Sequence, residues 1–220
     1  MDTPRTSTAT RRIPIWIKIV YSAFVAVLVP YYWVAYTPWN FLYFCDIALL
    51  TTLVALWTES PFLASMPAVG ILLPQAIWVV DMLAKMIGGV YLTGMTKYMF
   101  DANIPVFVRG LSSFHGWLPF LLVGLVWRLG YDHRALKAQA LLAVALLAFC
   151  YVAGPTYQAA HPALACNINY VFGMDDKHPQ TIMAPALWVA MLMALLVVVF
   201  YIPTHLALRR WAPAAERVSR

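Results

Sequence analysis

The chain has 220 residues, 63% of them hydrophobic and only 11% charged, with a mean hydropathy of +0.73. Soluble domains carry roughly a quarter charged residues, so lipid rather than water is the expected solvent. The net charge of +6 does not point to nucleic acid, because Lys and Arg gather at the ends of apolar runs instead of forming a stripe interleaved with aromatics.

A tail over 1–12, bearing Arg5, Arg11 and Arg12, precedes the first apolar run, 13–36. That run is longer than a signal-peptide core and lacks a small-residue cleavage site, so it is expected to stay attached as the first span. Further apolar runs cover 39–58, 62–85, 112–130, 136–156 and 182–204, each close to the roughly 20 residues that cross a bilayer. Breaks such as Thr37-Pro38 and Glu59-Ser60-Pro61 divide them. The fold class expected is therefore all-α: one six-helix transmembrane domain over 13–206, followed by a basic tail over 207–220.

Orientation follows from where the cations fall. Arg5, Arg11, Arg12, Lys18, Arg128, Arg134, Lys137, Arg209, Arg210, Arg217 and Arg220 share one side by parity, against Lys85, Lys97, Arg109 and Lys177 on the other. The positive-inside rule then places both termini in the cytoplasm. Two long connections, 91–111 and 158–181, fall outside, where they either cover a site or simply lie in solvent. Pro67, Pro74 and Asp81 recur every seven residues, with Trp78 and Lys85 on the same stripe, so this face of the third span is expected to look into the bundle.

Ionisable groups inside a span cost at least about 2.5 kcal/mol near its centre and need partners or a wet cavity. Glu59 and Lys85 lie at span ends and reach the interface by snorkelling, and Asp81 with Lys85 forms an i, i+4 pair that explains both. Asp46 has no basic residue on its own helix face. Counting seven helical residues from Trp39 puts it about 10 Å deep, where it needs a partner on another helix or a proton. His115 falls one turn inside the same end of the fourth span and precedes Pro119 by four, which would free its carbonyl. The plainer reading of both is an interhelical hydrogen bond.

Cys45 adjoins Asp46; a buried thiol is usually inert, but one whose proton is taken by a nearby histidine is a nucleophile. In the last outer connection, Asn167-Ile168-Asn169-Tyr170 offers two amides for a carbonyl, headgroup or oxyanion, although Asn in a turn commonly bonds its own backbone. Cys45, Cys150 and Cys166 have neither disulfide nor zinc spacing, and no metal or other cofactor is expected.

Phe44-Cys45-Asp46-Ile47 in an early span, His115 in a later one and Asn167-Ile168-Asn169-Tyr170 before the last resemble, in order and spacing, the YwaF-type bacterial membrane proteins. They also resemble the related transmembrane-protein-164 acyltransferases of eukaryotes. The longer stretch 39–173 is similar to bacterial membrane-associated proteins in which serine replaces the cysteine. The chain departs from the pattern at Tyr43, where a histidine would precede the cysteine, and in having six spans. The resemblance implies a lipid-acting hydrolase or acyltransferase in a bacterial inner membrane, with its site near the outer leaflet. On this reading, Asp46 and His115 are acid/base or orienting groups, Cys45 a candidate nucleophile, and Asn167, Asn169, Tyr170 and Asp81 substrate-binding groups; the similarity to the serine-bearing proteins favours Asp46 and His115 over Cys45 as the working pair. Membrane lipids are then the partners, with room for a protein partner or a homo-oligomer. A non-enzymatic membrane scaffold or assembly partner is the competing reading, and a small-molecule transporter the third.

Overall fold

The computed structural model describes residues 13–162, 164, 167–175 and 178–215. Expectations for the 1–12 tail, for Cys166 and Lys177 and for the last five residues of the basic tail lie outside them. The regular secondary structure of the described residues is helical, apart from an isolated bridge between Tyr131 and Ala214. The helices are α1 (Ile15–Tyr36), α2 (Phe44–Thr58), α3 (Pro61–Gly88), α4 (Val106–Ser112), α5 (Phe114–Leu129), α6 (Arg134–Ala160), α7 (Pro185–Leu195) and α8 (Ile202–Trp211). A π-helical segment, Leu196–Tyr201, joins α7 to α8 in one continuous rod. Short 3-10 turns lie at Pro38–Leu42, Lys97–Phe100 and Ile168–Tyr170.

Five stretches are long and apolar enough to cross a membrane: α1, α3, α4 with α5, α6, and the rod from Pro185 to Trp211. The chain is thus a multi-pass membrane bundle by length and composition, and its surface agrees: side chains such as Phe120 and Val152 are largely exposed, which suits lipid contact rather than water. The last span runs to Trp211, past the expected end at 204 and into the expected basic tail, and two span starts also differ from expectation. The fourth run begins at Val106, several residues before 112, with a bend at Ser113. The second run is a helix of only 15 residues, about 22 Å long against a hydrocarbon core of about 30 Å. Its first residues are spent on the 3-10 turn, because Thr37 takes a positive φ before Pro38 and Tyr43 is extended.

α3 is the central element, packed against α2, α5, α6 and α8. Small residues on it, Ala64, Ala68 and Gly70, allow close approach. The main core gathers Leu28, Leu49, Leu56, Val69, Phe114, Leu118 and Leu122. A second cluster, Trp39, Leu147, Cys150, Ile168, Trp188 and Leu192, joins α6 and α7 to the 3-10 turns. The α2–α3 corner is set by local chemistry: Glu59 is left-handed, Ser60 caps α3 by accepting Leu63 N–H at 3.3 Å, and Pro61 opens the helix where no donor is needed.

The bundle has two distinct ends. At one, here the terminal end, Ile13 N–H donates to Glu59, and Asp132 N–H donates to the Ser65 hydroxyl. At this end too Tyr131 bonds residues 213 and 215 through its backbone. The other, the loop end, carries the 3-10 turns, the start of α2, the end of α3 and the bend at Ser113.

Candidate functional site

Because α2 starts at Phe44, Asp46 lies in its first turn, where free N–H groups and the helix dipole favour a carboxylate. The helical depth count from Trp39 is therefore overturned. So is the expectation of a partner on another helix: Asn40, in the 3-10 turn just before, donates from Nδ2 to Asp46 Oδ2 at 3.0 Å. Asp46 is 3% exposed, and its Oδ1 has no hydrogen-bond partner.

His115 is the second residue of α5, and its Nδ1 lies 2.8 Å from the Ser112 carbonyl across the bend. A carbonyl only accepts, so Nδ1 carries the hydrogen, and in the neutral form of the ring Nε2 is the acceptor. The ring is fixed by stacking on Trp78 at 5.5 Å and by Phe114 at 4.1 Å. The Ser112 hydroxyl pairs with Tyr32 of α1 at 3.0 Å.

Tyr32 in turn lies within electrostatic reach of Cys45 and Asp46. Tyr98, from the Lys97–Phe100 turn, reaches the same neighbourhood, beside Ser112, Tyr32 and Cys45; burial pushes its phenol well above the ordinary range. Tyr98 also approaches the Trp78 indole, but Trp78 Nε1 makes no bond of proper geometry. Cys45, Asp46 and His115 thus all lie toward the loop end, His115 held by the Ser112 carbonyl and the Ser112 hydroxyl by Tyr32. No hydrogen bond joins Cys45 or Asp46 to His115 among the described residues, so the direct pair is not made.

The Asn-rich segment is also at this end, but both amides are committed to the protein. Asn169 donates from Nδ2 to the Leu42 carbonyl at 2.8 Å and accepts Phe44 N–H at 3.0 Å, clamping the chain immediately before Cys45. Asn167 donates to the carbonyls of Gly173 and Asp175 and accepts Phe172 N–H, closing its own loop. Tyr170 offers its carbonyl to the Trp188 indole at 2.9 Å. Asn169 and Tyr170 both take left-handed φ, of 55° and 62°, which Asn tolerates better than most residues.

Asp81 is fully buried and fully used. Oδ1 accepts the N–H groups of Leu92, Thr93 and Gly94, and Oδ2 accepts the N–H and hydroxyl of Thr96. The expected Asp81–Lys85 pair is not formed: Lys85 donates to the Gly89 carbonyl at 2.9 Å and lies 4.6 Å over the Tyr91 ring. A carboxylate surrounded by backbone N–H groups is better solvated by them than by one exposed ammonium. Glu59, expected to snorkel, is instead paired with Lys18 at 2.7 Å.

No family model, curated protein or solved structure matches the chain.

Three residues at this end escaped the sequence reading, Tyr32, Tyr98 and Ser112, and so did Gln75 at the middle of α3. Gln75, one turn from Trp78 on α3, is 3% exposed, and neither its carboxamide oxygen nor its nitrogen has a partner. An amide in an apolar run is itself a detectable signal, since each such group needs a partner in lipid. Arg109 was read only for topology, yet it sits one turn before Ser112 and donates to the Met99 carbonyl at 3.1 Å while its Nε stays unpartnered. Among the described residues no group of three metal-ligating side chains comes together.

Proposed function

We propose that the protein is an enzyme of a bacterial inner membrane that acts on acyl lipids at the loop end of the bundle, with both termini cytoplasmic so that this end lies at the outer leaflet. The observation that carries the reading is His115: its Nδ1 is tied to a carbonyl, its ring is held by two aromatics, and its Nε2 is without a protein partner among the described residues, at the same end of the bundle as the Cys45 thiol and the buried Asp46 carboxyl with its unpartnered oxygen. Polar groups buried in lipid without protein partners are costly unless a ligand or water completes them. Cys45 Sγ attacks the ester carbonyl, and its proton passes to His115 Nε2. The ester C–O bond breaks, the lyso-lipid leaves with that proton, and the acyl chain stays as a thioester. Water or the hydroxyl of a second lyso-lipid then attacks the thioester and returns a proton to the thiolate through His115. Asp46 and Tyr32 orient the groups, and Arg109 takes the lipid phosphate.

The test is incubation of the purified protein in vesicles with an acyl-labelled phospholipid. Label should appear on the protein in a hydroxylamine-sensitive form, be lost in Cys45→Ala, and fail to accumulate in His115→Gln, while Cys150→Ala behaves as wild type. Folded wild-type protein that neither turns over lipid nor carries such label would sink the enzyme reading. The scaffold reading would then take its place; it is favoured by the complete use of Asn167, Asn169 and Asp81 in holding loops to helices.

A further inference from the structure

Thioester formation at Cys45 passes through a tetrahedral oxyanion, which needs N–H donors waiting where its charge develops. The amides that the sequence offers for this, Asn167 and Asn169, are both spent on the backbone. Two other donors are idle. Gln75 and Trp78 stand one turn apart on one buried face of α3, 3% and 6% exposed. Neither the Gln75 carboxamide nor the Trp78 indole N–H has a hydrogen-bond partner among the described residues. Tyr98 approaches the indole without closing a bond of proper geometry. Leaving both ends of an amide unpaired inside a lipid-embedded bundle is costly, so these groups need an oxygen that arrives from outside the protein.

The neighbours of α3 put both donors at the level of the site. The Trp78 ring stacks on His115 at 5.5 Å, so its N–H is carried by the stack that holds the base. α2 and α3 pack together as a hairpin about the Glu59-Ser60 corner. Cys45 lies 14 residues before Glu59 and Gln75 lies 15 after Ser60, so at about 1.5 Å per residue the two come to the same depth. α3, with 28 residues against the 15 of α2, runs on past it, which is why its middle stands level with the first turn of α2. We propose that Gln75 Nε2 and Trp78 Nε1 are the oxyanion donors of the loop-end site, an inference that rests on the enzyme reading above. When Cys45 Sγ adds to the ester carbonyl, an electron pair of the C=O bond moves onto oxygen, and the two N–H groups hold that charge. They release it as the carbonyl re-forms and the C–O bond to the lyso-lipid breaks.

The test follows acylation of the purified protein in vesicles by an acyl-labelled phospholipid, together with binding of a long-chain trifluoromethyl ketone, which Cys45 captures as a tetrahedral adduct bearing the same oxyanion. Gln75→Met keeps the length of the side chain and deletes both polar ends; Trp78→Phe keeps a ring against His115 and deletes the N–H. Each should slow acylation about 100-fold and weaken the ketone by a similar factor, while KM for the phospholipid changes less than about threefold. Gln75→Met should also melt no lower than wild type, because it removes an unpaired buried amide. It decides the matter should Trp78→Phe fail to fold. Acylation at the wild-type rate in Gln75→Met, with Cys45→Ala inactive, would overturn the donor assignment and leave the enzyme reading standing. A Gln75→Met protein that melts early would overturn it too, by making the amide a structural group. Wild-type protein that forms no thioester would remove both readings together.

Discussion

Asn169 accepts the backbone N–H of Phe44 at 3.0 Å, so a residue from the last long loop fixes the one immediately before Cys45. The same side chain donates to the Leu42 carbonyl at 2.8 Å. Both bonds hold α2 at its first turn, where a helix cannot satisfy its own N–H groups. Asn169→Gly keeps the left-handed backbone free of strain but deletes both bonds. It should cost about 1–3 kcal/mol, read as a lowered melting temperature in detergent. A melt like that of wild type would mean that the loop does not secure α2.

The carboxylate of Asp81 has a larger stake, since five donors converge on it. Asp81→Ala leaves those donors without their acceptor and should release the 92–96 loop, with a loss of about 3 kcal/mol or more. The variant should be cleaved faster than wild type by protease in the 91–105 region. Lys85→Gln removes the cation expected to neutralise Asp81, yet should change stability by less than about 0.5 kcal/mol, because Lys85 bonds Gly89 instead. A Lys85 effect as large as that of Asp81 would restore the ion pair.

Between α3 and α6, contact depends on a missing side chain. A Cβ at Gly70 would stand 2.5 Å from Gln139 Nε2 and 2.8 Å from its Cδ. Gly70→Ala should therefore destabilise by about 1–3 kcal/mol, and Gln139→Ala in the same chain should recover most of it. Additive losses in the double variant would show that the two side chains do not meet.

Acid should act on the turn between α5 and α6. Hydrogen bonding to Arg134 holds the Asp132 carboxyl below its ordinary range. The sign follows from linkage: a carboxylate depressed in the folded state contributes stability at neutral pH, fully above its unfolded value near about pH 4, and loses it as pH falls through the folded value. Arg134 is largely exposed, so salt weakens the effect. Melting curves should show Asp132→Asn slightly below wild type at pH 7, with the gap closing below about pH 4 and in high salt. A gap that widens in acid would contradict the assignment.

The spans were legible in the sequence because hydropathy needs only a run of apolar residues, and every run from 13 to 204 holds a helix. Where the start of a helix mattered, hydropathy was not enough. The stretch 39–43 is as apolar as the helix after it, yet the positive φ of Thr37, Pro38 and the extended Tyr43 delay α2 to Phe44. That shift moved Asp46 to a first turn and gave it Asn40, a neighbour hidden while the stretch was read as helix. Asp81 was hidden for another reason: four of its five donors are backbone N–H groups, which any sequence supplies. Asp46 and His115 stood out as polar residues in apolar runs, but Tyr32 and Ser112, which bond each other beside His115, are ordinary in composition. They could be placed only by folding.

The π-helical segment Leu196–Tyr201 gives the last span a turn wider than its neighbours, just ahead of Pro203. Each residue of an α-helix advances the side-chain direction by about 100°. A single-residue deletion within this segment would tighten the turn to α geometry at almost no cost in backbone bonding. Everything past it would keep its direction, because a wide turn spends one extra residue on about the same rotation, so His205, bonded to Tyr131 at 2.6 Å, would stay on its face. The wide turn thus absorbs one surplus residue of the final rod: a deletion here leaves the later faces in register, whereas the same deletion in a purely α-helical span would turn every later side chain by about 100°.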